Sequence, residues 1–222
     1  MSEKCLQCFR STQSCYCQSI SEIDTGIKFV FLMHPREAYK QKTGTGRLAS
    51  LSLKNSEIII DTSFDDNFRT QELLSDPLYY PMILYPGKEA FYTETFNFEK
   101  STEKKTLLVF LIDATWSFAR KMMHISKTLQ ELPKLSFSNE YRSKFLIKKQ
   151  PKEYCLSTIE SSYYLIKELQ KSGVCNREIN VNGLMNVFNE MVQYQLRCKK
   201  KRLEFIQTIS LEKETSPGLR AI

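Results

Sequence analysis

The sequence predicts an α/β fold: a mainly parallel sheet flanked by helices, with a small four-cysteine zinc-binding segment at the N-terminus. Three observations predict it. Residues 107–112 are an unbroken apolar run that stops on Asp113, the pattern of a strand buried on both faces. The segment that follows, 117–132, places Phe118, Met122, Ile125 and Leu129 on one helical stripe. Elsewhere short apolar runs alternate with helix-spaced segments, as in chains that build parallel sheets.

In chain order, residues 27–33 (I-K-F-V-F-L-M) read as a first strand ending at H-P-R-E, residues 34–37. A basic turn with two glycines follows, then a short helix near 48–54 and a short strand at 57–60. A weak helical turn at 71–75 is stopped by Asp76-Pro77, and 81–85 is another strand closed by Pro86-Gly87. Residues 93–105 are polar and read as an exposed excursion before the central strand and its helix. Residues 134–137 read as an edge strand and 138–153 as a basic loop. Helices are expected over 158–170, with Ser157 and Glu160 at capping-box spacing, and over 180–198. The division expected is a metal-binding segment at 1–20, an α/β catalytic domain at 21–198 and a basic C-terminal tail at 199–222.

The chain has 222 residues, enough for one sizeable core and a small appendage. Lys and Arg total 32 against 25 Asp and Glu, a formal charge of +7 that suits a polyanionic partner, nucleic acid before membrane. No apolar run approaches the roughly 18 residues of a membrane span. The first residues, M-S-E-K-C-L-Q-C, lack the charged-then-apolar layout of a signal peptide. A cytoplasmic protein with no membrane partner is expected.

Seven cysteines in that compartment favour metal or free thiols over disulfides. Four of them, Cys5, Cys8, Cys15 and Cys17, form C-x2-C-x6-C-x-C. Four thiolates make a closed tetrahedral site, which suits structural Zn²⁺ and leaves no position for substrate. An iron–sulfur cluster is the alternative, since it also takes four thiolates. Cys155, Cys175 and Cys198 are scattered and read as inert.

Asp113 stands where a central strand hands over to a helix, the edge where open α/β sheets bind ligands. It reads either as a cap for the following helix or as a catalytic carboxylate. There is no G-x-S-x-G, H-E-x-x-H, Walker-type phosphate loop or G-x-G-x-x-G, so the hydrolase, metalloprotease and nucleotide-binding classes they mark find no support. Neither His34 nor His124 has a partner at metal-ligand spacing. Several short motifs gather at the ends of expected elements, as loops around a site on one sheet edge would.

Those motifs, in order, are C-x2-C-x6-C-x-C, H-P-R-E, T-G-R-L, L-Y-P-G, I-D-A-T-W and L-S-T-I-E. Together they resemble the DTW-domain family of tRNA-uridine aminocarboxypropyltransferases, over about residues 5–197. One departure is Gly44, where Asn is the expected residue before the Thr of T-G-R. The resemblance implies a SPOUT-like, knotted α/β fold. It implies transfer of the 3-amino-3-carboxypropyl group of S-adenosylmethionine to N3 of a uridine in tRNA, with methylthioadenosine released.

On that reading Asp113 is the base for N3–H or the anchor for the cofactor's ammonium or sulfonium. The cofactor-binding residues expected are Leu84, Tyr85, Pro86, Ala114, Thr115, Trp116, Ser157, Thr158 and Glu160. Trp116 either stacks on a base or packs beneath the helix, and for Glu160 the capping box is a second role. His34, Arg36, Arg47, Arg142, Lys144 and Lys148 are candidates for substrate and RNA contact, with Glu37 fixing an arginine. The partner expected is tRNA, and a monomer is favoured. The rival readings are a zinc-stabilised RNA-binding module without catalysis, an S-adenosylmethionine-dependent RNA methyltransferase of SPOUT type, and an Asp-based hydrolase.

Overall fold

A computed structural model describes residues 3–40, 43–147 and 155–215, the last eight of these by backbone only. Six strands form one parallel sheet: β1 (Lys28–Met33), β2 (Ser56–Ile60), β3 (Tyr79–Leu84), β4 (Phe91–Tyr92), β5 (Thr106–Asp113) and β6 (Lys134–Ser136), in the order β2-β1-β5-β3-β6-β4. β1 is buried at every position, as the partner of β2 on one side and β5 on the other.

The side-chain period of two along the central strands sorts their residues into two cores. Phe29, Phe31, Leu107, Val109 and Leu111 face one cluster; Val30, Leu32, Leu108 and Phe110 face the other. The first is covered by α2 (Gly46–Ser52), α7 (Thr158–Lys171) and α8 (Asn182–Thr215) through residues such as Leu48, Ile159 and Phe188. The second is covered by α3 (Phe68–Ser75), α5 (Trp116–Ile125) and α6 (Lys127–Glu131) through Leu73, Met122 and Leu129. Each buried Phe or Leu contributes about 1.5–3 kcal/mol, so the sheet is held from both sides.

Several expected elements come out differently, each for a local reason. The helix expected over 117–132 is two helices, α5 and α6, broken at Ser126. Asp65, from a distant loop, accepts the amides of Lys127 and Thr128 at 3.1 and 2.8 Å and so caps α6 as a separate helix. Of the expected stripe, Met122 and Leu129 are buried, whereas Ile125 is exposed and Phe118 stacks on His34. H-P-R-E opens α1 (Pro35–Lys40) with proline at its first position, where the missing N–H costs nothing. The excursion at 93–105 contains α4 (Phe98–Thr102), capped by Asn97, which accepts the Lys100 amide at 3.0 Å; Phe98 is buried. β6 is not an edge strand: β4 lies outside it. The helix expected to end at 198 runs on to Thr215. Among the described residues no helix is long and apolar enough to cross a membrane.

Candidate functional site

β5 carries Asp113 to the C-terminal edge of the sheet, in register with Met33 of β1. The Asp113 carbonyl accepts the His34 amide at 3.0 Å, tying the ends of β5 and β1 together. Asp113 is not the cap of α5; that position is Thr115. Asp113 is 4 % exposed, and its carboxylate faces two helix starts instead. Oδ1 accepts the hydroxyl of Thr158, first residue of α7, at 2.5 Å. On another side stands Gly46, first residue of α2: a Cβ there would lie 2.5 Å from Asp113 Cγ. A helix N-terminus favours negative charge, and only glycine lets the α2 backbone approach this closely.

The loops following β1, β3, β5 and β6 enclose a cavity of about 770 Å³ around this carboxylate. That volume suits a cofactor-sized molecule, and the carboxyl edge of a parallel sheet is where such molecules bind. Leu84, Tyr85 and Pro86 line it from the end of β3; Asp113, Ala114, Thr115 and Trp116 from the end of β5; Ser157 and Thr158 from the start of α7. Arg142, expected as an RNA contact, lines the same cavity. Glu37, expected only to fix an arginine, is buried and lines it too, as does Glu140. Among the described residues the charged lining is therefore three carboxylates against one guanidinium. Burial raises the Tyr85 hydroxyl, an effect partly offset by Arg120.

The remaining expected residues lie elsewhere. Glu160 is fully buried outside the cavity lining and completes the capping box with Ser157. It also accepts the Ser143 hydroxyl at 2.9 Å and the Lys144 amide at 2.6 Å. His34 stacks on Phe118 with ring centroids 4.2 Å apart, and the Arg36 guanidinium lies 5.0 Å from the same ring. Burial, then the charges of Arg36 and Lys121, lower the His34 pKa. Arg47 covers the ring of Phe9 at 4.5 Å. Lys144 is exposed outside the cavity. Lys148 lies outside the described residues.

Glu168 was not singled out in the sequence, yet it shapes the cavity wall. It is fully buried and accepts hydrogen bonds from the hydroxyl of Thr93, the Ser138 and Asn139 amides at 3.0 and 3.1 Å, the Asn139 side chain at 2.9 Å and the Tyr141 hydroxyl at 2.9 Å. Burial pushes its carboxyl up, but these donors outweigh burial and hold it below the ordinary range. Glu160 and Glu168, two turns apart on α7, thus grip successive parts of the loop that presents Asn139, Tyr141, Arg142 and Phe145 to the cavity. A buried carboxylate in mid-helix has no sequence signature when its partners are this remote.

The four N-terminal cysteines converge, with all sulfurs within 4.8 Å of one another. Cys5 and Cys17 sulfurs are 3.7 Å apart, and those of Cys8 and Cys15 are 3.8 Å apart. Sulfurs at the corners of a tetrahedron with metal–sulfur bonds of about 2.3 Å are separated by just under 4 Å, so the set could bind a metal such as zinc. The Cys8 and Gln7 amides favour the Cys5 thiolate and lower its pKa to about 6.

A parallel α/β sheet with a carboxylate-bearing cavity at its C-terminal edge and a four-cysteine segment defines the class. Within that class, the DTW domain family matches residues 2–196, and the chain belongs to it. The chain is similar to three proteins named tRNA-uridine aminocarboxypropyltransferase 2. That of Macaca fascicularis is 23 % identical over 90 % of this chain and 68 % of its own. That of Mus musculus is 32 % identical over 55 % and 41 %, and that of Drosophila melanogaster 26 % over 75 % and 66 %. The chain thus spans about two thirds of the length of two of these relatives and about two fifths of the third. No solved structure matches.

Proposed function

We propose that this protein transfers the 3-amino-3-carboxypropyl group of S-adenosylmethionine to N3 of a uridine in tRNA, releasing methylthioadenosine. The observation that carries the proposal is the cavity itself, where Asp113 sits among the loops after β1, β3, β5 and β6. The names of the relatives support the same reading.

The charge of the cavity suits the group donor. S-adenosylmethionine carries a sulfonium, an ammonium and one carboxylate, and the lining offers an excess of carboxylates with a single guanidinium among the described residues. Arg142 holds the carboxylate of the transferred chain, Arg being suited to bidentate binding. Leu84, Tyr85 and Pro86 contact the adenosine. Ala114, Thr115, Trp116 and Ser157 shape the pocket beside them.

The sulfonium supplies its own leaving group, so the protein's task is chiefly to aim the γ-carbon rather than the methyl at the nucleophile. The bond from γ-carbon to sulfur breaks with its electron pair going to sulfur; the bond from N3 to γ-carbon forms. Asp113 takes the N3 proton, a contribution of about 10²–10⁴-fold for a positioned base. Thr158 orients that carboxylate.

Arg36, Arg47, Lys144 and the K-K-K-R run of α8 supply phosphate contacts, which makes tRNA affinity fall steeply with salt. The target uridine leaves its stack to reach the cavity. The four-cysteine set holds zinc as a structural ion. The same reading carries a SPOUT-like, knotted topology. The protein works in the cytoplasm as a monomer.

The test is to incubate the protein with unmodified tRNA and S-adenosylmethionine labelled separately in the methyl or the aminobutyrate portion. Aminobutyrate label entering RNA is the result expected. Methyl label in RNA replaces the proposal with a methyltransferase, and no label in RNA with a binding module.

A further inference from the structure

We propose that Arg10 is a positioning residue through which the metal-binding segment holds the T-G-T-G-R turn, residues 43–47, against Asp113. The proposal rests on the reading of Asp113 as the catalytic carboxylate, and it concerns how that carboxylate is kept in place.

The four cysteines close two short turns around a common centre, and Phe9 and Arg10 lie between the two pairs. Arg10 reaches out of this segment to the body of the protein. Its Nη2 donates to the Gly44 carbonyl at 2.9 Å and lies 3.6 Å from Met191 Sδ on α8. The buried ring of Tyr16 stands 5.4 Å from its guanidinium carbon. One side chain therefore joins the cysteine segment, α8 and the turn that leads into α2.

A second tie is independent of the first. Phe9 adopts a left-handed backbone conformation, φ 57°, which an ordinary side chain keeps only when its surroundings enforce it. Its amide bonds to the Cys5 carbonyl at 2.9 Å, and its ring lies under the Arg47 guanidinium at 4.5 Å. The segment thus grips the turn at Gly44 and again at Arg47.

Between those two grips stands Gly46, which has no room for a Cβ because the Asp113 carboxylate occupies that space. Thr45, its neighbour, is buried and lines the cavity. A shift of this turn by a fraction of an ångström moves the wall against which Asp113 packs. Close-packed interiors transmit such displacements instead of absorbing them. The cysteine segment contributes no cavity-lining residue among those described, and this turn links it to the Asp113 wall.

The experiment uses the full chain: wild type, Arg10→Met, Arg10→Lys and Phe9→Ala, with wild type also stripped of zinc by a chelator. Amide hydrogen exchange is followed over residues 43–50, with the second half of α7 as an internal control. The emission of Trp116, the only tryptophan and a cavity residue, is read in the same samples. Exchange over 43–50 is expected to rise on the order of tenfold in Arg10→Met and in stripped protein, as for a locally opened segment. Trp116 emission shifts in both, the α7 control stays unchanged, and Arg10→Lys recovers most of the protection.

Phe9 is a largely exposed side chain, so Phe9→Ala keeps the fold and carries the test if Arg10→Met does not fold. It is expected to raise exchange in the same amides. Unchanged exchange at 43–50 in the folded variants and in stripped protein overturns the proposal. These readouts need neither donor nor tRNA, so a wild type that transfers no label sinks the proposed function while leaving this test in force.

Discussion

Thr158 donates its hydroxyl proton to Asp113 Oδ1 at 2.5 Å, joining the first residue of α7 to the last residue of β5. A hydrogen bond to a charged acceptor contributes about 1.5–3 kcal/mol, and here it also sets the direction of the carboxylate. Thr158→Val keeps the shape and removes the donor. It is expected to lower stability by an amount in that range and transfer by about tenfold, whereas Thr158→Ser stays within about threefold of wild type. Chemical denaturation and initial rates check both.

Gly46 can be tested against another glycine of the same protein. Gly46→Ala puts a methyl into the Asp113 carboxylate, and overpacking of this kind costs about 1–3 kcal/mol. At Gly87 the nearest atom to an added Cβ is Lys134 Cδ at 3.5 Å, ordinary contact. Thermal melts should show Gly46→Ala destabilised with Gly87→Ala near wild type, and the first should also weaken binding of S-adenosylmethionine. Equal melting temperatures would contradict the packing described.

Glu168 makes a prediction about pH. Its carboxyl lies below the reference value of 4.5, because its hydrogen-bond donors outweigh burial. A group with a depressed folded-state pKa contributes stability that is fully present above the unfolded-state value and is lost as pH falls through the folded one. That contribution should therefore fade below about pH 4.5. Glu168→Gln faces several donors with an amide, and it is expected to lose about 1–3 kcal/mol at neutral pH and to show a flatter acid limb. Denaturant midpoints measured from neutral pH down through the carboxylate range give the comparison.

The Cys5, Cys8, Cys15 and Cys17 set should bind one zinc ion per chain, counted by native mass spectrometry. Cys8 is the buried member. Cys8→Ser is expected to weaken zinc binding by more than about 100-fold, since ligands of a structural site carry folding free energy of order 10 kcal/mol. Retention of stoichiometric zinc by that variant would remove the site as described.

Much of the fold was legible because some segments have a single physical reading. An all-apolar run ending on Asp113 suits a strand buried on both faces, and β5 is that strand. Ser157 and Glu160 announced the start of α7 by spacing alone, and the capping box is present. What stayed hidden depends on distant partners. Asp65 breaks the helix at Ser126 from some sixty residues away in sequence. Glu168 looks like a solvated helix residue until Thr93 and the 138–141 loop close over it.

The same limit explains the site. The motifs at the ends of β3 and β5 mark residues that line the cavity, because strand ends open onto the sheet edge wherever the helices pack. Arg142 sits in a basic run and reads as an RNA contact on the surface. Its place in the cavity follows from the grip of Glu160 and Glu168 on its loop, which only the folded chain displays.

Asp113→Asn separates a carboxylate that acts on the reaction from one that serves only the fold, since the amide oxygen can still accept the Thr158 hydroxyl. The rate to measure is transfer to tRNA with saturating S-adenosylmethionine labelled in the aminobutyrate portion. If Asp113 takes the N3 proton, transfer slows by about 10²–10⁴-fold while the variant keeps the fold and the zinc content of wild type. Transfer at the wild-type rate would show that Asp113 is not the base.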